Sequence, residues 1–142
     1  MKFPLEIITP ERQAFAQEVE SVTVPTSRGS IGVLAHHVPL FSALTEGEVK
    51  ITADNKEYFL AIGGGFMEVT PKSVIVLVSR AFHAEELNEA EIKKAQEAAK
   101  AVLHARAKGA EFSQAQAVLR RSILELKVLR RRKPSSVVTS RL

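Results

Sequence analysis

The sequence predicts two structural regions in series: an N-terminal antiparallel β-sandwich over residues 1–84 and a C-terminal antiparallel two-helix hairpin over 85–133, followed by a loose tail over 134–142. In the first region, short β-rich runs separated by turn residues recur about every ten residues, which is typical of a sandwich or barrel. After Arg80, helix-capping residues and apolar residues at helical spacing replace them. The 142 residues suffice for one small domain with an appendage and are too few for a barrel enzyme.

The strand-like runs are rich in β-branched and aromatic residues, and proline, glycine or asparagine bounds most of them. In chain order they cover residues 5–8, 19–24, 31–34, 40–44, 49–52, 58–62, 66–69 and 74–78. The last run is apolar at every position, so we expect it in the middle of a sheet. Gly63, Gly64 and Gly65 lie between two runs and no helix with a Gly-Lys-Ser/Thr sequence follows. They therefore predict a tight hairpin or bulge and not a phosphate-binding loop.

Capping residues predict the ends of the two helices. Asn88, with Glu91 three residues later, forms a capping box that opens the first helix, and Gly109 ends it. A second capping box begins at Ser113, and the helix that it opens is expected to end before Pro134. Because the connection is only a few residues long, we expect the two helices to pack antiparallel.

The second helix carries two apolar stripes. They comprise Leu119, Ile123 and Leu126 on one side, and Ala117, Leu124 and Val128 on the other. One stripe can face the first helix, and the other is covered either by the β-region or by another chain. A hairpin of about 50 residues builds little core by itself, so its docking is expected to be conditional, as a regulatory arm requires.

Charge is distributed unequally along the chain. Residues 1–84 hold 7 Lys/Arg and 9 Asp/Glu, a net of −2, whereas residues 112–142 hold 8 and 1, a net of +7. The basic run 130–133, with Arg120 and Arg121 before it, has three interpretations: a solvated helix end, a surface for an acidic protein, or a nucleic-acid contact. No aromatic residue interleaves the basic cluster, which disfavours the nucleic-acid interpretation.

Catalytic and metal-binding patterns do not emerge from the sequence. The absence of cysteine excludes disulfides, thiolate zinc sites and thiol catalysis. His36 and His37 are adjacent and would point to opposite faces of an extended chain, and neither His83 nor His104 has a partner at ligand spacing. No nucleophile with a base and an acid stands out, so we do not expect an enzyme or a metal protein.

Five segments resemble the epsilon-subunit family of the F-type ATP synthase. They are residues 8–12, 21–26, 29–40, 47–48 and 61–69. The third is the most specific, because its sequence Gly-Ser-Ile-Gly-Val-Leu-Ala-His-His-Val-Pro-Leu is similar to the family's G-x-[IL]-G-[IV]-L-x-x-H-x-P-L segment. All five occur in the family's order and at its distances, so the chain is identified as a member of this family.

The resemblance implies a non-catalytic subunit of the rotating central stalk, which couples proton translocation through the c-ring to ATP synthesis. Its partners would be the gamma subunit, the c-ring and the alpha and beta catalytic subunits, and nucleic acid is not among them. Arg28, Gly29, Ser30 and Ile31 match the segment that meets the c-ring loops, and His37 matches a family histidine beside it. The protein is then expected to be peripheral to the cytoplasmic face of a bacterial inner membrane, attached only through the complex. The N-terminus lacks the pattern of a presequence, which fits a bacterial or an organelle-encoded subunit.

The resemblance also implies that the C-terminal helices inhibit ATP hydrolysis when they extend into the catalytic ring. The expected contacts to beta and gamma are Arg120, Arg121, Leu124, Val128, Arg130, Arg131 and Arg132. Two alternatives stay open: a purely structural coupling subunit without inhibition, and a β-domain with a basic nucleic-acid-binding arm.

Some members of the family bind ATP through an Ile/Leu-Asp-x-x-Arg-Ala motif at the start of the first helix. The matching segment here, 87–92, reads Leu-Asn-Glu-Ala-Glu-Ile. Asn88 replaces the aspartate and Glu91 reverses the charge of the arginine. We therefore expect no tight ATP binding and no other cofactor.

Overall fold

The computed structural model describes residues 1–105 and 108–140, and the side chains of the second range through Arg131. The chain divides into two compact units, Met1–His83 and Ala84–Leu142. The expected boundary after residue 84 lies one residue from this division. Within the described ranges, no helix combines the length and the apolar character that crossing a membrane requires.

The N-terminal unit is a sandwich of two five-stranded sheets. The strands are β1 (Phe3–Ile8), β2 (Gln13–Val19), β3 (Ser21–Thr26), β4 (Gly29–Leu34), β5 (Leu40–Leu44), β6 (Gly47–Ala53), β7 (Lys56–Ile62), β8 (Gly65–Val69), β9 (Val74–Val78) and β10 (Ala81–His83). Sheet I has the order β2-β1-β9-β8-β5, and sheet II has the order β10-β7-β6-β3-β4. Every neighbouring pair is antiparallel except β1 and β9. The predicted antiparallel sandwich is confirmed, with one parallel pair.

The core lies between the two sheets and is formed by alternate residues of the strands. In β1, Phe3, Leu5 and Ile7 are buried, while the residues between them are half-buried or exposed. The largest side chains with almost no exposure are Leu5, Ile7, Ile51, Leu60, Ile62 and Met67. Burying each one contributes about 1.5–3 kcal/mol, so this layer is the main source of the unit's stability.

Two strands were missing from the prediction, and both lie at sheet edges. In β2, Gln13, Gln17 and Glu18 are polar and four of the seven positions are exposed, so its sequence lacks a long apolar run. β10 is only three residues long. The predicted strand over 19–24 is also divided at Glu20, between β2 and β3. Edge strands bury little surface, and their sequences carry a correspondingly weak periodic signal.

The three consecutive glycines do not form the expected hairpin or bulge, because they carry the chain from β7 in sheet II to β8 in sheet I. A Cβ atom at Gly65 would lie 1.9 Å from the carbonyl oxygen of Leu77, and one at Gly63 would lie 2.1 Å from Ser79 Oγ. Two backbones approach closely at this crossing, and a side chain at either position would collide with its neighbour.

The C-terminal unit contains a 3-10 turn (Ala84–Glu86), helix α1 (Glu89–His104) and helix α2 (Gly109–Ser140). Asn88 is the N-cap of α1, and its side-chain oxygen accepts the backbone N–H of Glu91 at 3.2 Å. The predicted helix pair and its first cap are confirmed.

The ends of the helices correct three expectations. α1 ends at His104, and Gly109, with φ of 64°, is the first residue of α2 instead of the stop of α1. α2 therefore begins before Ser113, with Glu111 in its first turn, where a carboxylate complements the helix dipole. α2 also continues past Pro134 to Ser140, although a proline inside a helix removes one backbone hydrogen bond and crowds the carbonyl four residues earlier. The expected loose tail is thus helical through 140, and 141–142 lie outside the described residues.

The two helices pack through small side chains. A groove of about 320 Å³ between them is lined mainly by Ala95, Ala98, Ala99 and Val102 of α1 and Ala115 and Val118 of α2. In α2, Ser122 is also buried, and its hydroxyl donates to the carbonyl of Val118 at 2.8 Å. Ile123 is 56% exposed, whereas Val128 and Leu129 are almost completely buried. Of the two predicted apolar stripes, the one that contains Ile123 is therefore the more open.

Candidate docking surfaces

The tip of the β3–β4 hairpin presents polar groups on a well-defined turn. Thr26 Oγ1 donates to the carbonyl of Gly29 at 2.6 Å and accepts the backbone N–H of Arg28 at 3.2 Å. Gly29 has φ of 110°, a conformation that residues with a side chain rarely adopt. Arg28 and Ser30 are exposed, while Ile31 is half-buried against the sandwich core. The tip therefore holds a cation and a hydroxyl outward on a short, closed loop.

His37 lies at the other end of β4. Its backbone N–H donates to the carbonyl of Leu34 at 3.2 Å, and its Nδ1 lies 2.7 Å from the carbonyl oxygen of Val38. The chain turns at His36, where φ is 64°, so the two histidines do not alternate along an extended strand as expected. A six-residue strand spans about 16 Å at about 3.3 Å per step. The structure thus separates His37 from the Arg28 tip, although the resemblance places the two side by side.

The outer side of sheet I carries an exposed apolar surface that the sequence analysis did not identify. In the strand register, Ile8 lies beside Leu77, Leu77 beside Phe66, and Phe66 beside Ala43. Phe41 stacks on Phe66, with ring centroids 5.5 Å apart and planes inclined by 26°. Phe41, Phe66 and Leu77 are 68%, 51% and 52% exposed. These three residues, together with Ile8 and Ala43, come from four neighbouring strands and are called the apolar face below.

Two concavities adjoin the apolar face. One has a volume of about 450 Å³ and is lined by residues that include Thr9, Pro10, Gly64, Phe66, Leu77 and Ser79. The other, about 360 Å³, lies beside Phe41 and is bounded by Pro39, Leu40, Glu68 and Pro71. An exposed apolar surface with adjoining pockets is typical of a protein-binding site.

The corresponding side of sheet II is different in character. Along β6, the outward positions are Glu48, Lys50 and Thr52. Lys50 Nζ lies 3.0 Å from the carboxylate of Glu57 on the adjacent strand β7, and both side chains are about half exposed. This part of sheet II is well solvated, although Leu34 of β4 and Phe82 of β10 are also exposed in that sheet.

The basic side chains of α2 divide between different sides of the helix. Arg120, Lys127 and Arg131 are exposed and lie at helical spacing on one side, with the half-buried Leu124 among them. They are called the basic stripe below, and Lys127 was missing from the predicted contacts. Arg121 and Arg130 are also exposed but project about 80–100° away from this stripe, in opposite directions.

Among the predicted inhibitory contacts, Val128 and Arg132 are not among the exposed side chains that the structure describes. Val128 has 0% exposure, so in this conformation it is a packing residue and is not available to a partner. Arg132 lies in the helix, but its side chain is outside the described residues. The stripe assignment of Val128 followed helical spacing alone, and spacing cannot say which side of a helix is covered.

The chain resembles known proteins over almost its whole length. The sequence model of the family described as "ATP synthase, Delta/Epsilon chain, beta-sandwich domain" matches residues 2–84. The ATP synthase epsilon chain of Dehalococcoides mccartyi is 40% identical over 135 residues, which cover 93% of this chain and 95% of the relative. The chain belongs to the ATP synthase epsilon-chain family. The epsilon chain of Syntrophobacter fumaroxidans is 38% identical over 127 residues, and this alignment covers 89% of the present chain and 95% of the relative.

Solved structures share the fold of this epsilon-family chain. A chain in the cryo-EM structure of the Euglena gracilis mitochondrial ATP synthase, OSCP/F1/c-ring, has a TM-score of 0.67 and 22% identity and covers 97% of this chain and 81% of its own length. A chain of the Tetrahymena thermophila mitochondrial ATP synthase central stalk/c-ring has a TM-score of 0.57 and 16% identity, with 91% and 97% covered. The sandwich followed by two helices is thus a fold that ATP synthase chains from distant organisms share.

For this family member, the expectation about ATP concerns the first residues of α1, and the expectation about metal concerns the histidine and acidic side chains. The Asn88 side chain caps α1 by accepting the Glu91 N–H, and Glu91 itself is exposed. In the described residues, no three histidine or acidic side chains converge as a metal site requires. The expectation that the chain does not bind ATP tightly stays a prediction.

Proposed function

We propose that this chain is a non-catalytic central-stalk subunit of ATP synthase that couples proton translocation through the c-ring to ATP synthesis and restrains ATP hydrolysis with its C-terminal helices. The apolar face of sheet I is the observation that carries the proposal, because a rotor subunit needs a permanent attachment surface. Family membership and the central-stalk and c-ring assemblies that contain its structural neighbours support the same assignment.

The apolar face is assigned to the gamma subunit. Two stacked aromatic rings and a leucine form its centre, and aromatic residues in desolvated pockets usually contribute most to protein association. The pockets on either side give a partner helix or loop places to insert side chains. His37 belongs to this contact, because Pro39, two residues later in the chain, lines the smaller pocket. Attachment here is short-range and largely independent of salt.

The tip of the β3–β4 hairpin is assigned to the c-ring. Arg28 and Ser30 offer a guanidinium and a hydroxyl to polar loops, and Gly29 keeps the turn closed behind them. Ile31 anchors the tip to the sandwich core, so force on the tip is transmitted to the sheet. A polar loop on a rigid scaffold suits contact with a polar ring of loops.

The exposed arginines of α2 are assigned to inhibition of ATP hydrolysis. Arg120, Arg121, Arg130 and Arg131 are exposed, with Leu124 half-buried between them, and Arg132 follows in the same helix. The partner is an acidic surface of the beta subunit in the catalytic ring. Single exposed ion pairs contribute about 1 kcal/mol or less, so several must act together. An arm that switches between two positions needs a bias of only a few kcal/mol.

The location follows from these contacts. A chain bound to gamma and the c-ring is peripheral to the membrane, on the cytoplasmic face of a bacterial inner membrane, and is held there by the complex. In this assignment, catalysis belongs to the alpha and beta subunits, and the chain itself holds neither nucleotide nor metal.

The test is ATP hydrolysis by the cognate αβγ complex, titrated with the full chain and with residues 1–84. Circular dichroism of both proteins confirms that each is folded before the titration. The expected result is that both bind the complex and only the full chain inhibits hydrolysis. Binding without inhibition by either protein would favour the purely structural subunit, and absence of binding, with retention on DNA instead, would favour a nucleic-acid-binding arm.

A further inference from the structure

Three connections pass between the two sheets at one corner of the sandwich. Residues 45–46 join β5 to β6, residues 63–64 join β7 to β8, and residues 79–80 join β9 to β10. The last two are paired, because Gly63 N–H donates to the carbonyl of Arg80 at 3.0 Å and Ser79 N–H donates to the carbonyl of Gly64 at 3.1 Å. The two strands of each sheet thus continue around the corner as one antiparallel ribbon.

The side chain of Arg80 joins this ribbon to the third connection. Its Nη2 forms an ion pair with the carboxylate of Glu46, and both side chains are mostly buried, with 27% and 21% exposure. To reach Glu46, the Arg80 side chain passes over Gly63, where an added Cβ atom would lie 2.9 Å from Nη1 and 3.2 Å from Cγ. Glu46, Gly63 and Arg80 are called the corner clamp below.

The corner clamp lies next to the apolar face. Phe66 follows Gly63 by three residues, and Leu77 precedes Arg80 by three. The 450 Å³ groove beside the apolar face is lined by Gly64 and Ser79 from the corner together with Phe66 and Leu77. The direction in which the ribbon leaves the corner therefore sets the position of both exposed side chains.

We propose that Arg80 is a positioning residue: its ion pair with Glu46 across Gly63 fixes the corner and thereby the geometry of the apolar face that gamma binds. The proposal rests on the proposed function. A partly buried ion pair contributes little net stability, because desolvation offsets most of its attraction, but its geometry is specific. The ion pair is therefore expected to hold the corner in a single arrangement. Its loss should change the affinity for gamma more than it changes the stability of the fold.

The experiment compares the full-length wild-type chain with Arg80→Gln for binding to the cognate gamma subunit by calorimetry. Arg80→Gln should bind about tenfold more weakly, which corresponds to about 1.4 kcal/mol, while its Tm changes little. Amide hydrogen exchange at Gly63 and Ser79, whose N–H groups donate across the ribbon, should become faster. The exchanged pair, Arg80→Glu with Glu46→Arg, should recover most of the affinity.

The matched control is Lys50→Gln, which removes the Lys50–Glu57 ion pair on the outer side of sheet II. It should leave both gamma affinity and exchange at the corner unchanged. Wild-type affinity in Arg80→Gln, or a lowered Tm without weaker binding by the folded protein, would overturn the proposal. If Arg80→Gln does not fold, Glu46→Gln decides by the same criteria. If the wild-type chain does not bind gamma, the proposed function fails, and unchanged exchange at the corner would then overturn the clamp separately.

Discussion

The sandwich and the helical hairpin are stabilised in different ways. The sandwich encloses large aliphatic side chains such as Leu5, Ile7 and Leu60, each with 0% exposure. In the hairpin, α1 buries only Ile92 and Ala99 among its described residues, and the facing helices leave a groove of about 320 Å³. A deep core makes the fold of the sandwich independent of partners. A thin, alanine-rich interface makes the hairpin sensitive to what it contacts.

The exposed surfaces of the two regions also differ, because one is apolar and the other is positively charged. The apolar face of the sandwich acts only at contact, through burial of area. The basic stripe of α2 acts over a distance comparable to the Debye length, about 8 Å at physiological salt, and weakens as salt rises. A permanent attachment and a reversible arm thus use different kinds of force, and each of the following predictions tests part of this contrast.

The largest effect is expected from a cavity in the sandwich core. Leu60→Ala should lower the free energy of unfolding by about 3 kcal/mol, because the residue is fully buried and its truncation leaves a cavity in the core. Ala99→Gly in α1 should cost the hairpin only about 1 kcal/mol, chiefly through backbone entropy. Urea titrations followed by circular dichroism measure both, and equal losses would contradict the difference in core depth.

The next largest effect concerns the apolar face. Phe66→Arg should weaken gamma binding about a hundredfold, which is about 2.8 kcal/mol, because it places an unpaired charge at the centre of the contact. Phe66 is half exposed, so the variant should keep its Tm within a few degrees. Lys50→Ala, on the solvated side of sheet II, is the control. A similar loss of affinity in that variant would show that the apolar face is not the specific binding surface for gamma.

A smaller effect is expected from the basic stripe. Replacing Arg120, Lys127 and Arg131 by alanine should raise the concentration needed to inhibit ATP hydrolysis about tenfold at low salt, and much less at high salt. The control replaces Arg121 and Arg130, two assigned contacts that project from other sides of α2, and is expected to weaken inhibition less than the stripe variant does. If the control weakens inhibition as strongly as the stripe variant does, total charge matters and its arrangement does not.

The smallest effect concerns the first helix cap. Asn88→Ala should destabilise the hairpin by about 1 kcal/mol, because the Glu91 N–H loses its side-chain acceptor, and the sandwich should be unaffected. Ser113→Ala should change stability by less than about 0.5 kcal/mol, since Ser113 lies within α2 and does not cap it. Hydrogen exchange in α1 and in β1 distinguishes the two regions. Faster exchange in β1 after Asn88→Ala would show that the stabilities of the two regions are coupled.

The sequence predicted the elements that have strong local signals. The strand over 74–78 and the Asn88 cap were identified correctly, because β-branched runs and capping boxes are properties of a few adjacent residues. The edge strand β2 was missed because its polar residues interrupt the apolar ones, and the start of α2 was placed at Ser113 because a second capping pattern occurs inside the helix.

The candidate sites were predicted less completely than the fold. Arg28 and Ser30 share an exposed tip as expected, but the same strand carries His37 to its other end. Helical spacing offered Val128 as a contact, and tertiary packing buries it completely. Lys127 was overlooked, since its position beside Arg120 and Arg131 emerges only when the sides of a long helix are compared.

The sequence by itself determined the change from strands to helices, the first cap, the family and the concentration of positive charge in α2, because all of these are carried by short segments or by composition. Only the tertiary structure decided which sheet each strand joins, and so which residues form the apolar face and the corner clamp. Glu46 and Arg80 are separated by 34 positions in the chain, and the five residues of the apolar face come from four strands. The alternation of side chains along a strand predicts whether a residue points inward or outward. Only the pairing of distant strands determines which outward residues lie side by side.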